Sequence, residues 1–367
     1  MYLGIPAAML TLDQTNTCNS PQSMTSWTKH ISGAAALLHL QGKEALASRT
    51  RRQLFVHLRG QVVSLEHLPL SPSCLFFSKV INCLQRHVTV PKVVSEWSDV
   101  ARQYQTGADL HATDLAEAII RFCNLRASMA SFHDYSKAEH IVLSACEIDA
   151  ELEVWTKNYP IECMYKTVML QERSDEVFSD HYHIYENLVA ATTWNHYRAV
   201  RILVNELIIT QLEWLKKERP YILELSSSDS VFTDVRIQAA NATIMQLSHD
   251  ICASVPPLLG FREGQEPSQH NTKAVSGNLL LWPLYSAACT PMVSDMMCRW
   301  VAGRLRMISE IMGIKQAGPL AHVLMKRHDL LAWTSDKDDE YKRKVLVWRA
   351  GEMSPEPWTP EKLIELT

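Results

Sequence analysis

The residues best able to do chemistry are scattered along the chain. His181 and His183 stand two apart, His133 and His140 stand seven apart, and four acids crowd the run DKDDE at 336–340. A carboxylate run holds magnesium when it projects from a helix wall into a cavity and a second ligand set faces it. DKDDE has no such partner motif and leads straight into Lys342, Arg343 and Lys344. It is expected to be a solvated loop or helix end, and the basic triplet a solvated face or a weak aid to nuclear import. On a helix, His181 and His183 would point to different faces. His133 and His140 could share one, but no third ligand stands at metal spacing, so each is expected to be a surface or capped core histidine.

Nucleophiles fare no better. The nine cysteines lie at 18, 74, 83, 123, 146, 163, 252, 289 and 298, never closer than nine residues. There is no CxxC, CxxH or HExxH, so thiol redox chemistry and structural zinc are not expected. An odd, dispersed set suits a reducing compartment, with buried thiols acting as small hydrophobes. GxSxG, GxGxxG and GxxxxGK[ST] are also absent. No catalytic residue, metal ligand or cofactor-binding residue is nominated, and the chain is not expected to be an enzyme.

The elements that must carry these residues read as helical. Only 12 of 367 residues are glycine, about half the usual share of about 7%. With 47% hydrophobic and 21% charged residues, the chain can bury a substantial core. The formal net charge of −4 announces neither a nucleic-acid binder nor a membrane-surface binder. MYLGIPAAMLTLDQ lacks a basic start and is a poor signal peptide. The longest apolar run, 202–215, is broken by Asn205, Glu206 and Glu213, so no membrane span is expected.

Capping residues and 3–4 periodicity predict helices at 23–42, 50–65, 74–87, 91–104, 112–129, 134–156, 161–172, 183–218, 231–253, 278–289, 292–312 and 316–331. Gly107 and Asp109 separate the fourth and fifth. Ser226–Ser230 is read as a capping loop and Pro256-Pro257 as a helix stop. Residues 262–277 are read as a surface loop. The expected fold is an all-α, multi-helix globular bundle of roughly ten or more helices. A lead-in (1–22) precedes the helical domain (23–331), and a polar tail (332–367), with one short strand at VLVWR, follows it.

Five stretches, in order, resemble one family. TSWTKHISGAAALLHLQG (25–42), TWNHYRAVRILVNELI (193–208), DICASVPPLLG (250–260), LLLWPLYSAACT (279–290) and RWVAGRLRMISEIMGIKQAGPLA (299–321) resemble the fungal-specific regulatory domain that follows the six-cysteine binuclear zinc cluster in fungal transcription factors. Physically they read as packing signatures. Trp194 and Tyr197 are one turn apart and suit an aromatic core contact; Trp282 before Pro283 suggests a restricted helix entrance; Gly313 fits a helix C-cap. The resemblance implies a nuclear regulator of metabolic or biosynthetic genes, with protein partners and room for a small-molecule effector. The family's zinc cluster and basic linker are missing from this chain, so it is not expected to read DNA by itself. The competing readings are a helical small-molecule-binding protein or enzyme of unknown reaction, and an interaction scaffold.

Overall fold

The computed structural model describes residues 89–90, 92–105, 107–129, 135–218, 227–261 and 274–334. Eight α-helices lie among them: α1 (Lys92–Arg102), α2 (Ala108–Met129), α3 (Tyr135–Lys157), α4 (Leu188–Glu218), α5 (Ser227–Leu258), α6 (Ala274–Ala288), α7 (Asp295–Glu310) and α8 (Ala317–Thr334). A short 3-10 turn (Ile161–Cys163) and two strands, β1 (Lys166–Met169) and β2 (His181–Ile184), separate α3 from α4. The helical class expected from the sequence is found. The helices expected at 23–42, 50–65 and 74–87, the lead-in and the VLVWR strand lie outside the described residues. Of the expected tail, 332–334 continue α8 and the remainder lies outside them.

Two long helices organise the rest. α4 and α5 have 31 and 32 residues, about 47 Å each at 1.5 Å per residue. They form the most extensive helix pair, with α3 against α4, α2 against α3, and α6 against both long helices. Ala190, Trp194, Tyr197, Val204, Ile208 and Leu212 line the buried face of α4, and Ala240, Ile244, Leu247 and Ile251 that of α5. A first core joins Phe122, Leu152, Trp155, Trp194, Ile202, Ile208 and Ile244. A second joins Cys252, Val255, Leu284, Val301, Leu305 and Leu324. The boundary falls on α5 between Ile251 and Cys252, so one continuous helix serves both cores.

Several local expectations are corrected. Residues 161–172 are not a helix: β1 pairs antiparallel with β2, Lys166 opposite Ile184 and Met169 opposite His181. Thr167 and Val168 favour a pleated backbone, and Tyr182 and Ile184 do so in the partner strand. The long helix begins at 188, not 183, because Asn187 caps it, its Oδ1 accepting from Ala190 N at 2.9 Å. Asp109 lies inside α2, and Gly107, at φ +55°, stands directly before that helix. Ser227–Ser230 belong to α5, and 274–277 begin α6 rather than ending a loop.

The prolines also stand elsewhere than expected. α5 runs through Pro256 and Pro257 to Leu258. A proline this late removes donors only from the last turn, and burial of Ile251, Cys252 and Val255 keeps the turn helical. Phe261 N closes it on the Pro256 carbonyl at 2.9 Å, with Gly260 at φ +91°. Trp282-Pro283 lies within α6, not at its entrance. The C-cap of α7 is Ile311 rather than Gly313, which follows two residues later in a left-handed turn at φ +74°. No helix among the described residues is long and apolar enough to cross a membrane.

Candidate functional site

The largest fully buried side chain among the described residues is a charged one, Arg198 in the middle of α4, 1% exposed. It stands four residues after Trp194 and four before Ile202, on a stripe that is otherwise apolar. Its Nη1 donates to Tyr185 Oη at 2.5 Å and to Asn195 Oδ1 at 3.0 Å. Its Nη2 lies 3.5 Å from His183 Nδ1. The guanidinium carbon sits 4.9 Å from the Tyr165 ring centroid, 5.5 Å from Trp194 and 5.8 Å from Tyr185, so three rings surround the cation, Tyr185 meeting it through its hydroxyl edge. Asp250 on α5 acts on it only at longer range.

The hairpin supplies half of this cage. Strand geometry puts residues two apart on one face, so His181 and His183 share a side, contrary to the helical expectation, with ring centroids 5.7 Å apart. His183 also lies against Tyr165, 4.2 Å between centroids. Burial, then the Arg198 charge, depress His183 to about 3, so the imidazole is neutral at physiological pH. Burial pushes Tyr185 up to about 12 against the pull of Arg198, keeping the phenol protonated.

One turn along, Arg201 shows the contrasting arrangement. Its Nε donates to Asp149 Oδ1 at 2.8 Å, its Nη1 to Tyr197 Oη at 2.8 Å and its Nη2 to Glu153 at 3.4 Å. Asp149 on α3 also accepts from Asn205 at 2.7 Å and Arg236 at 3.1 Å. Burial alone would raise the Asp149 carboxyl, but these donors outweigh it and hold it below the ordinary range. This node ties α3, α4 and α5 together.

Aromatic residues fill the space between the two arginines. Trp194 packs edge-on to Tyr197 at 5.8 Å and Trp155 at 5.6 Å, and Trp155 stacks on Tyr197 at 5.2 Å. The indole of Trp155 donates to His111 O at 2.8 Å, and that of Trp194 to Cys163 O at 3.3 Å. The core contact expected of Trp194 and Tyr197 is therefore present. Trp282 is half-buried against the first core.

The other sequence candidates do not converge. His140 is exposed, while His133, the DKDDE run and Lys342–Lys344 lie outside the described residues. Among the described residues no group of three or more His, Cys, Asp and Glu could hold a metal, and no two of the six cysteines there are joined in a disulfide. Burial raises Cys252 far above the ordinary thiol value, which leaves it inert. Sequence reasoning missed Arg198. The available signal was an arginine at spacing four between Trp194 and Ile202, a charge on an apolar stripe.

Comparison of the chain with protein-family models, with curated proteins and with solved structures finds no match in any of the three.

Proposed function

We propose that this chain is a transcription-regulator-like protein, its helical bundle acting as a regulatory domain like that of fungal zinc cluster transcription factors. The observation that carries the reading is where the resembling stretches fall. Residues 193–208, 250–260, 279–290 and 299–321 lie on α4, the end of α5, α6, and α7 running into α8. These helices form the two cores, and Trp194, Tyr197, Val255, Leu284, Val301 and Ala317 are buried in them. The family's sequence signatures thus coincide with what packs.

On this reading the domain works in the nucleus through protein partners, on metabolic or biosynthetic genes. DNA selectivity comes from a partner or from a further segment, since specific readout needs side chains set against base edges. No polar convergence of nucleophile, base and orienting group lies among the described residues, which favours regulation over catalysis. A helical small-molecule-binding protein is the second reading, favoured by the buried Arg198 charge.

Fusing the full chain to a heterologous DNA-binding domain beside a reporter gene tests the proposal. A change in reporter output, lost when Trp194→Ala unfolds the bundle, is the expected result. An expressed, folded fusion that leaves the reporter unmoved would count against it. The purified chain alone, mixed with a randomised duplex pool at near-physiological salt, is expected to enrich no motif.

A further inference from the structure

A guanidinium stays charged at any physiological pH. Burying it is costly unless a carboxylate and further hydrogen bonds compensate. Arg201 and Arg236 obey that rule through Asp149. Arg198 does not, although it is the most enclosed of the three: its contacts are a phenol, an amide oxygen, an imidazole nitrogen and three aromatic rings. All of these groups are neutral, and the one acid acting on it, Asp250, stands at longer range and is itself hydrogen-bonded by Gln246 at 2.9 Å. No carboxylate is in direct contact with the guanidinium.

The walls of that cage have two origins. Trp194 and Asn195 belong to α4 itself. Tyr165, His183 and Tyr185 ride on the β1–β2 hairpin and its flanks. The hairpin has a ladder of only four residue pairs, too short to hold by itself, so its place depends on the packing of β2 against α5. Its outer strand leaves Lys166, Thr167 and Met169 exposed, and β2 rests on α5. Lifting this one short element would uncover Arg198 and leave a flat indole and an amide beside it on a rigid helix.

We propose that Arg198 anchors an anion site closed by the β1–β2 hairpin, and that its ligand is a small monocarboxylate with a flat, unsaturated body. The charge of the ligand follows from a buried guanidinium that no carboxylate touches, Asp250 acting on it only from a distance. The carboxylate follows from the guanidinium fork, whose parallel N–H groups match two coplanar oxygens. A phosphate needs donors around three oxygens, and beyond Arg198 this cage offers mainly acceptors and rings. The flat body follows from the Tyr165 and Trp194 faces, which take an aromatic ring by stacking or edge contact. Such a site would serve a regulator or any other helical binder, so it goes beyond the regulatory reading and stands or falls separately from it.

Titration of the full chain with sodium benzoate, and separately with inorganic phosphate at matched ionic strength, tests the site. The melting temperature and the tryptophan emission are read for the wild type, Arg198→Met and Arg198→Lys. Benzoate is expected to raise the wild-type melting temperature by several degrees and to change emission saturably. The effect should vanish in Arg198→Met and weaken at least tenfold in Arg198→Lys, which keeps the charge but loses the fork. If Arg198→Met does not fold, Arg198→Lys carries the comparison. A wild type indifferent to benzoate would overturn the proposal. So would a benzoate effect of full size in both variants, which would place the ligand elsewhere. Phosphate acting as strongly as benzoate would overturn the carboxylate assignment.

Discussion

Two arginines one turn apart on α4 make opposite demands on their surroundings. Arg201 is held by Asp149, which is 5% exposed and serves three donors. Asp149→Ala is expected to cost about 3–5 kcal/mol, because breaking a buried pair strands its partner charge. Urea denaturation measures it, and Asp149→Asn should recover part of the loss. Arg198→Met removes a charge that no carboxylate pairs but strands the acceptors Tyr185 Oη, Asn195 Oδ1 and His183 Nδ1, so it should cost about 1–3 kcal/mol. A loss as large as that of Asp149→Ala would mean that the cage needs its cation. Acid should act through His183 and His196, both at most 5% exposed and both depressed to about 3, chiefly by burial. The unfolded chain protonates them near 6.5 while the native state does not, so stability is full above 6.5 and falls as pH drops towards 3. Each contributes at most about 1.4 kcal/mol per pH unit in that window. Unfolding free energies from urea titrations at pH 7 and pH 5 should differ by several kcal/mol, and His183→Phe or His196→Leu should flatten the slope.

At the scale of elements, Trp194 and Trp282 separate packing from position. Trp194 meets Trp155, Tyr159, Tyr165 and Tyr197. Its replacement by Ala should cost about 3–5 kcal/mol. Trp282 is only half-buried, and its indole N–H, though shielded from water, has no acceptor, so Trp282→Ala should cost clearly less by calorimetry. Helix periodicity located α2, α3, α4, α7 and α8 to within a few residues because their apolar stripes repeat every third or fourth position. The hairpin was not legible in that way. MYKTVML carries apolar residues that fit a helix as well as a strand, and only the Asn187 cap and the β-branched and aromatic residues around 167–184 favoured the strand. Pro256 and Pro257 read as a helix stop and Pro283 as a helix entrance, whereas buried neighbours on both sides hold α5 and α6 through them. The Arg198 cage could not be read from local sequence, since Tyr165, His183 and Tyr185 reach it from the β1–β2 hairpin and its flanks rather than from α4.

At the scale of the whole molecule, α5 decides how the cores behave. Ile244, Leu247 and Ile251 serve the first core, and Cys252 and Val255 the second, without a break in the helix. The cores are expected to unfold together, with near- and far-ultraviolet circular dichroism giving coincident denaturation curves. Separate midpoints would show that α5 can fray at the Ile251–Cys252 boundary. The aromatic cluster beside α4 has an optical consequence. The indoles of Trp155 and Trp194 lie 5.6 Å apart and are inclined at 69°. Transition dipoles that close and that skewed couple, and coupled chromophores rotate light with paired bands of opposite sign. Those bands fall where helices absorb, so ellipticity from this bundle misstates its helical content. Trp155→Phe or Trp194→Phe, which keep an aromatic ring in the core, should alter the spectrum while every helix stays in place.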